Sequence, residues 1–115
     1  MTASSDLVQR QLDAYNRQDI DAFLGCYAED AELAGLNGAV THKGLPAIRQ
    51  RHEELFFQFP KNRAKLVNRI DLGSTVIDHE AVERSPGGEQ FEVAAIYTIR
   101  HGKIARVDFA RAGAV

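Results

Sequence analysis

The first half of the chain shows helical spacing of its apolar residues. Between Leu7 and Tyr15 they recur every three or four positions, which is typical of a helix with one buried face. Ser4 or Ser5 is placed to cap this helix, and Asp6 suits its first turn. The predicted helices carry their apolar faces on Leu7, Val8, Leu12 and Tyr15, then on Ile20, Phe23, Leu24 and Tyr27 after the cap Asp19, and finally on Ile48, Leu55, Phe56 and Phe59 after Pro46.

The second half changes to the two-residue period of β-strands. From Phe91 to Ile99 every second residue is apolar or aromatic, which predicts a strand with one buried face. Helices followed by a meander predict an α+β fold, with helices on one face of a mostly antiparallel sheet. We expect one domain over residues 1–115. The predicted strands span residues 30–36, 39–42, 64–72, 75–84, 91–100 and 104–111.

Four polar side chains interrupt apolar faces. Gln11 and His52 each lie on a predicted helix, with an apolar residue four positions before and another four positions after on the same face. Tyr27 ends the apolar face of the second helix, and Tyr97 lies on the apolar face of a strand. A buried polar group without a hydrogen-bond partner costs about 1–3 kcal/mol. The four therefore either bond to one another or face a hydrated pocket, and both alternatives predict a polar cluster inside an apolar cavity.

A run of ionisable residues lies in the strand predicted at 75–84. Alternation puts Asp78 and Glu80 on one face and His79 on the other, and the hairpin register decides which face is buried. If the carboxylates face the pocket, a raised pKa would make either of them a candidate general base. The alternative is a solvated face. His52 is a second candidate base, because imidazole titrates near neutral pH.

Composition narrows the classes of partner. Apolar residues form 44% of the chain, charged residues 26%, and the net charge is −2, with both signs interspersed. Nucleic-acid binding requires a concentrated basic face, so we expect no such partner. The four histidines lack metal-ligand spacing, and no phosphate-binding glycine motif occurs, so we expect no metal and no cofactor.

The compartment is predicted from cysteine use and the N-terminus. Cys26 is the single cysteine, which favours a reducing compartment. The N-terminal residues lack the charged start and apolar run of a signal peptide. No apolar stretch approaches the ~20 residues that cross a bilayer. We therefore expect a cytoplasmic protein without a membrane partner.

Five short segments occur in a characteristic order along the chain: Val8–Arg10, Asn16–Asp21, Tyr27–Ala31, Gly44–Arg49 and Gly102–Ile104. Together they resemble the nuclear transport factor 2-like superfamily, and most closely its ketosteroid isomerase and SnoaL-like branch. The resemblance extends over nearly the whole chain. It implies a cone-shaped fold in which three helices and a curved sheet enclose a pocket, and it implies a homodimer.

The same resemblance implies that the isomerase activity does not carry over unchanged. The position of the catalytic Asp of ketosteroid isomerase is Gly35 in this chain. The position of its oxyanion-binding Tyr is Gln11, and that of its second, protonated Asp is Tyr97. Tyr27 and His52 match positions where some isomerases keep supporting tyrosines. An unmodified steroid isomerase mechanism is therefore not expected.

Two functions are compatible with these residues. The first is an enzyme acting without a cofactor on a small, mostly apolar, cyclic or carbonyl-bearing metabolite. His52, Asp78 or Glu80 would move the proton, while Tyr97 and Tyr27 would donate to a developing oxyanion. The second is a non-catalytic ligand-binding or dimeric interaction module. The ligand contacts expected in either case are Gln11, Tyr15, Tyr27, Phe56, Val93 and Phe109.

A homodimer is also expected from the second face of the strand at 91–100. This face carries Ala94, Ile96 and Thr98, and it is partly apolar. An apolar surface on a sheet face is a frequent site of association between copies. The sequence therefore predicts a dimer formed through the sheet.

Overall fold

The computed structural model describes residues 2–113 as three helices packed on one face of a curved, six-stranded mixed sheet. The strands lie in the order β2-β1-β6-β5-β4-β3, and every neighbouring pair is antiparallel except β1 and β6. The predicted α+β fold is confirmed. The elements are α1 (Ala3–Arg17), α2 (Ile20–Leu24), β1 (Tyr27–Gly35), β2 (Val40–Lys43), α3 (Leu45–Gln58), β3 (Arg63–Asp71), β4 (Thr75–Glu83), β5 (Gln90–Arg100) and β6 (Lys103–Arg111).

The first helix begins earlier than the sequence pattern suggested. Thr2 is the N-cap, and its hydroxyl accepts a hydrogen bond from the backbone N–H of Ser5 at 3.1 Å. The prediction of a cap at Ser4 or Ser5 was therefore wrong, because both serines already lie within the helix. The threonine satisfies one of the free N–H groups that every helix N-terminus presents.

Two aromatic residues assigned to helices lie outside them. Helix α2 ends at Leu24, and Tyr27 is the first residue of β1. Tyr27 follows Cys26, whose carbonyl accepts the Ile104 N–H at 2.9 Å, so the chain has already joined the sheet there. Phe59 is the C-cap of α3, with φ −128° and ψ 76°, because the following proline disfavours helical geometry.

The register of the β4–β5 hairpin resolves the alternative left open by the sequence. Asp78 lies opposite Ala95, and Glu80 lies opposite Val93. Residues directly opposite each other share a face, so both carboxylates follow the buried face of β5. Both are buried, whereas His79 is exposed and pairs with Glu92 on the outer face.

The core fills the space between the helices and the inner face of the sheet. Its completely enclosed residues include Val8 of α1, Ile48 of α3 and Val107 of β6. The outer face of β5 is partly exposed, and the homodimer expected there stays a prediction. Within residues 2–113 no helix is both long enough and apolar enough to span a membrane.

Two phenylalanines provide a matched test of the core. Phe23 is 1% exposed and contacts the rings of Tyr15, Tyr27 and His52, whereas Phe57 on α3 is 91% exposed. We expect Phe23→Ala to lower the free energy of unfolding by about 3–5 kcal/mol, because it leaves a cavity. Phe57→Ala should change it by less than ~0.5 kcal/mol in the same urea titration. Equal effects of the two substitutions would contradict this arrangement of the core.

Candidate functional site

A cavity of about 310 Å³ lies between the helices and the inner face of the sheet. This volume is at the lower end of the range for small-molecule sites, about 300–1,000 Å³. Its wall is mostly apolar, with Leu12, Leu55, Val82 and Val93 among the lining residues. The buried polar groups on the wall come from α1, β1, α3, β4 and β5, and they are Gln11, Tyr27, His52, Glu80 and Tyr97.

Gln11 connects two buried tyrosines in a chain of hydrogen bonds with a defined direction. Tyr27 donates its hydroxyl proton to Gln11 Oε1 at 3.0 Å. Gln11 Nε2 in turn donates to the Tyr97 hydroxyl oxygen at 3.3 Å and to the Val8 carbonyl at 3.3 Å. The proton of Tyr27 is therefore used within the protein, whereas no acceptor for the Tyr97 proton occurs among the described side chains. Of these two tyrosines, Tyr97 is the one whose proton remains available to a ligand.

Both tyrosines stay protonated at neutral pH. Burial raises the pKa of each hydroxyl well above its ordinary value of 10.0, and the negative charge of Glu80 raises it further. The same charge acts on Tyr15, whose pKa is raised mainly by burial. Glu80 therefore lies within electrostatic range of three tyrosine hydroxyls around the cavity.

His52 is held as a neutral imidazole of one tautomer. Its Nδ1 lies 2.8 Å from the Ile48 carbonyl oxygen, which can only accept, so Nδ1 carries the proton. Burial lowers the pKa of His52 from 6.5 to about 4, and the positive charges of Arg51 and Arg84 contribute to the decrease. Nε2 is then an unprotonated acceptor at neutral pH. The imidazole is a weak base and does not supply a proton there.

Glu80 is the least satisfied polar group on the cavity wall. Glu80 is buried, with 7% of the residue exposed, and its Oε2 has no hydrogen-bond partner among the described residues. Burial raises the pKa of Glu80 from 4.5 to about 7, and the adjacent charge of Asp78 adds to the increase while Arg69 opposes it. A carboxyl group with this pKa exists in both protonation states at neutral pH, as a general acid–base group requires.

Asp78 has a different environment on the same strand. Arg69 of β3 binds it in bidentate fashion, with Nε–Oδ1 at 2.7 Å and Nη2–Oδ2 at 2.9 Å. Arg69 also donates to Gln9 Oε1 at 2.9 Å, so the ion pair ties the sheet to α1. Asp78 is 0% exposed and does not line the cavity. Its carboxylate is engaged within the protein, which separates it from Glu80.

A second polar chain extends from Tyr15 toward the end of β4. Asn62, which is 1% exposed, donates through Nδ2 to the Tyr15 hydroxyl at 2.7 Å. Arg84 Nη1 donates to Asn62 Oδ1 at 2.9 Å. Its guanidinium also lies 4.8 Å from the ring centre of Phe91. Arg84 is therefore held in place at the cavity wall by an amide and an aromatic ring.

The structure brings most of the predicted site residues together. Two of them lie elsewhere: Asp78 is engaged by Arg69, and Phe56 packs against Tyr15 at 5.5 Å between ring centres without lining the cavity. His42, which lies in the strand predicted at 39–42, was not among the predicted site residues, but it belongs to β2 and lines the cavity. The predicted residues that do line it are Gln11, Tyr15, Tyr27, His52, Glu80, Val93, Tyr97 and Phe109.

Three arginines on the cavity wall were missed. Arg84 lies two residues after Val82, and Arg111 lies two residues after Phe109. The two-residue period of a strand therefore indicated that both arginines share the inner face. Arg51 lies beside His52 on α3. Among the described residues no group of three His, Cys, Asp or Glu side chains is arranged to hold a metal ion.

Fold and site together define a class: a cone-shaped α+β domain whose polar cluster lies inside an apolar cavity. The SnoaL-like domain family matches residues 8–107. The chain therefore belongs to the SnoaL-like family, as the sequence segments indicated. No curated protein matches the sequence.

Solved structures share this fold over nearly the whole chain. An uncharacterized cystatin-fold protein from Novosphingobium aromaticivorans is 30% identical, with 96% of this chain and 99% of that one covered and a TM-score of 0.88. A candidate polyketide cyclase from Sinorhizobium meliloti is 23% identical, with 96% and 100% covered and a TM-score of 0.79. A candidate ketosteroid isomerase from Kribbella flavida is 15% identical, with 98% and 80% covered and a TM-score of 0.83. The latter two identities support the fold alone.

The environment of His52 leads to a prediction for its titration. We expect its imidazole to remain neutral, with the proton on Nδ1, until the pH falls to about 4. The proton that titrates is the second one, which binds Nε2, and the unfolded chain binds it more tightly than the folded protein does. The contribution of His52 to stability is therefore complete above pH 6.5 and is lost as the pH falls toward 4. Long-range ¹H–¹⁵N spectra can follow the titration, with His52→Gln identifying the resonances. A midpoint near 6.5 would contradict the burial described.

Glu80 leads to the opposite dependence of stability on pH. Its folded-state pKa is raised, so its contribution to stability is complete below pH 4.5 and is lost as the pH rises through about 7. The change from 4.5 to about 7 corresponds to roughly 3 kcal/mol. We therefore expect Glu80→Gln to gain about that much stability relative to wild type between pH 4.5 and 8 in urea unfolding.

The exposed Glu53 on α3 provides the control for this measurement. Glu53→Gln removes an exposed carboxylate and controls for the loss of one carboxyl group in the same unfolding measurement. A difference between Glu80→Gln and wild type that does not change with pH would show that the Glu80 carboxyl is not desolvated in the folded protein.

Proposed function

We propose that this SnoaL-like protein is an acid–base catalyst that transfers a proton at a carbon next to a carbonyl group in a small, mostly apolar, cyclic metabolite. The observation that carries the proposal is Glu80, a buried carboxyl on the cavity wall with an unpartnered oxygen and a pKa of about 7. Isomerisation and cyclisation both contain such a step. The reaction requires no cofactor in this proposal.

Glu80 acts as the general base. In its ionised form it removes the proton from carbon, and in its protonated form it returns the proton at another position. A pKa near the working pH balances these two tasks, because neither form is scarce. The apolar wall strengthens the effect, since a carboxylate without hydrogen bonds is more basic than a solvated one.

Tyr97 stabilises the negative charge that develops on the carbonyl oxygen. Its hydroxyl accepts from Gln11 and keeps its own proton for the substrate. A neutral donor fixed in a dry site stabilises an oxyanion without reorganising solvent, which typically contributes several kcal/mol, about 3–4 in measured cases. Tyr27 orients Gln11, and through it Tyr97, rather than donating to the substrate.

The remaining polar residues have supporting roles in this mechanism. His52 is neutral and offers Nε2 as an acceptor, so it orients a substrate hydroxyl rather than moving a proton. Asp78 raises the pKa of Glu80 through its charge while remaining paired with Arg69. A candidate polyketide cyclase and a candidate ketosteroid isomerase share the fold of this chain, and the cyclic substrate in our proposal is chosen by analogy with their names.

Proton exchange on a probe ketone tests this function before the natural substrate is known. We expect the protein to accelerate deuterium exchange at the carbon next to the carbonyl of 2-tetralone, followed by NMR in D₂O. The rate should rise with pH through about 7 and then level, because the ionised form of Glu80 is the active one. Glu80→Gln should lower the rate by about 100-fold, and Tyr97→Phe by about 10- to 100-fold.

Glu53→Gln serves as the matched control. The Glu53 carboxylate is exposed on α3 and does not line the cavity, so this substitution should leave the exchange rate unchanged. Wild-type exchange rates in Glu80→Gln would overturn the assignment of Glu80. If 2-tetralone binds to the wild-type protein without any acceleration of exchange, the non-catalytic ligand-binding alternative is favoured.

A further inference from the structure

We propose that the ligand of this cavity carries an anionic group, specifically a carboxylate, which the three arginines on the cavity wall bind. This inference deepens the proposed function and uses the same cavity. Arg51, Arg84 and Arg111 all line it, whereas Glu80 is the only acidic residue that does so in the part of the chain that the structure describes. The wall therefore carries an excess of positive charge that nothing in the proton-transfer step requires.

The arginines and Glu80 lie at different depths. Glu80 and Tyr97 are 7% and 3% exposed, so they belong to the buried floor. Arg84 is half-buried, and Arg51 and Arg111 are exposed, so the guanidinium groups lie toward the mouth. A ligand that reaches both ends would place its reacting carbonyl near the floor and its carboxylate near the mouth, with the apolar wall around the rings between them.

Arg84 is the most buried of the three arginines. It is held by Asn62 at 2.9 Å and by Phe91, and no ion pair with a carboxylate is found for it within residues 2–113. Arg69 differs from Arg84 in this respect, because it is also partly buried but binds the Asp78 carboxylate through two hydrogen bonds. A guanidinium fixed in place but lacking a carboxylate is prepared for bidentate binding of one from a ligand.

The other two arginines add to the same potential. Arg111 contacts the same ring as Arg84, with its guanidinium 3.9 Å from the ring centre of Phe91, and it pairs with the exposed Glu89. Arg51 has no ion pair with a carboxylate within residues 2–113. The positive charges of Arg51 and Arg84 both lower the pKa of His52, so their field reaches into the cavity. Such a field attracts anions and repels cations.

A pair of probes that differ in charge tests this inference. We expect 2-naphthoate to bind at least about tenfold more tightly than methyl 2-naphthoate, because the ester keeps the rings and loses the ionised acceptor. Titration calorimetry at low ionic strength gives both dissociation constants. Added salt should reduce the preference, since the arginines at the mouth are partly solvated.

Substitutions assign the preference to residues. Arg84→Gln should bring the two probes to within about twofold of each other, whereas Arg84→Lys, which keeps a charge but not the fork, should retain part of the preference. Arg51→Gln is a second variant on an exposed position, expected to fold normally and to reduce the preference by a smaller factor. Arg100→Gln is the matched control, because Arg100 is exposed and does not line the cavity.

The outcomes separate this inference from the proton-transfer function. A preference for 2-naphthoate that survives in Glu80→Gln supports anion binding even if exchange on 2-tetralone fails. An ester that binds as tightly as the acid, a preference unchanged in Arg84→Gln, or no binding of either probe at millimolar concentration would overturn it. In each of those cases the exchange measurement still decides the role of Glu80.

Discussion

The inward face of β4 is the constraint on which the rest of the site depends. Val76, Asp78, Glu80 and Val82 share this face, and the two valines are buried in the core. Since strand period is two, burying the valines necessarily buries the two carboxylates between them. A protein of this size must then accommodate two acidic groups in its interior, where an unpaired charge is strongly disfavoured.

The two carboxylates are accommodated in opposite ways. Asp78 receives a bidentate arginine from β3, which makes it part of the framework that joins the sheet to α1. Glu80 receives no such partner, so burial shifts its pKa toward neutrality instead. Two positions along the same strand thus separate a structural ion pair from a carboxyl group whose pKa is raised to about 7. Perturbed ionisation of this kind is concentrated at functional sites.

The surrounding polar groups have fixed donor and acceptor roles. The Ile48 carbonyl sets the tautomer of His52, and Gln11 sets the direction of the hydrogen bonds that join Tyr27 to Tyr97. As a result the cavity wall offers a ligand the hydroxyl proton of Tyr97, the unprotonated Nε2 of His52 and the carboxyl group of Glu80. The arginines add positive charge nearer the mouth, and in our proposal the reaction takes place at the floor and the ligand is recognised at the mouth.

The sequence by itself determined the α+β class, the buried face of β5 and the placement of Gln11, His52 and Tyr97 on apolar faces. These features follow from local periodicity, which burial imposes on every helix and strand. The sequence pattern misplaced the N-cap of α1 and the end of α2, because contacts with distant segments take part in both: Thr2 also bonds to Asp71 of β3, and Cys26 bonds to Ile104 of β6. Phe59 lies outside α3 for a local reason, the proline that follows it. Only the tertiary structure decided that Asp78 and Glu80 face inward, since Ile77 and Ala81 offered an equally plausible apolar face and the register with β5 selects between them. It also decided which carboxylate meets Arg69 and which is left without a partner, because that pairing joins two strands whose relative register no local pattern encodes.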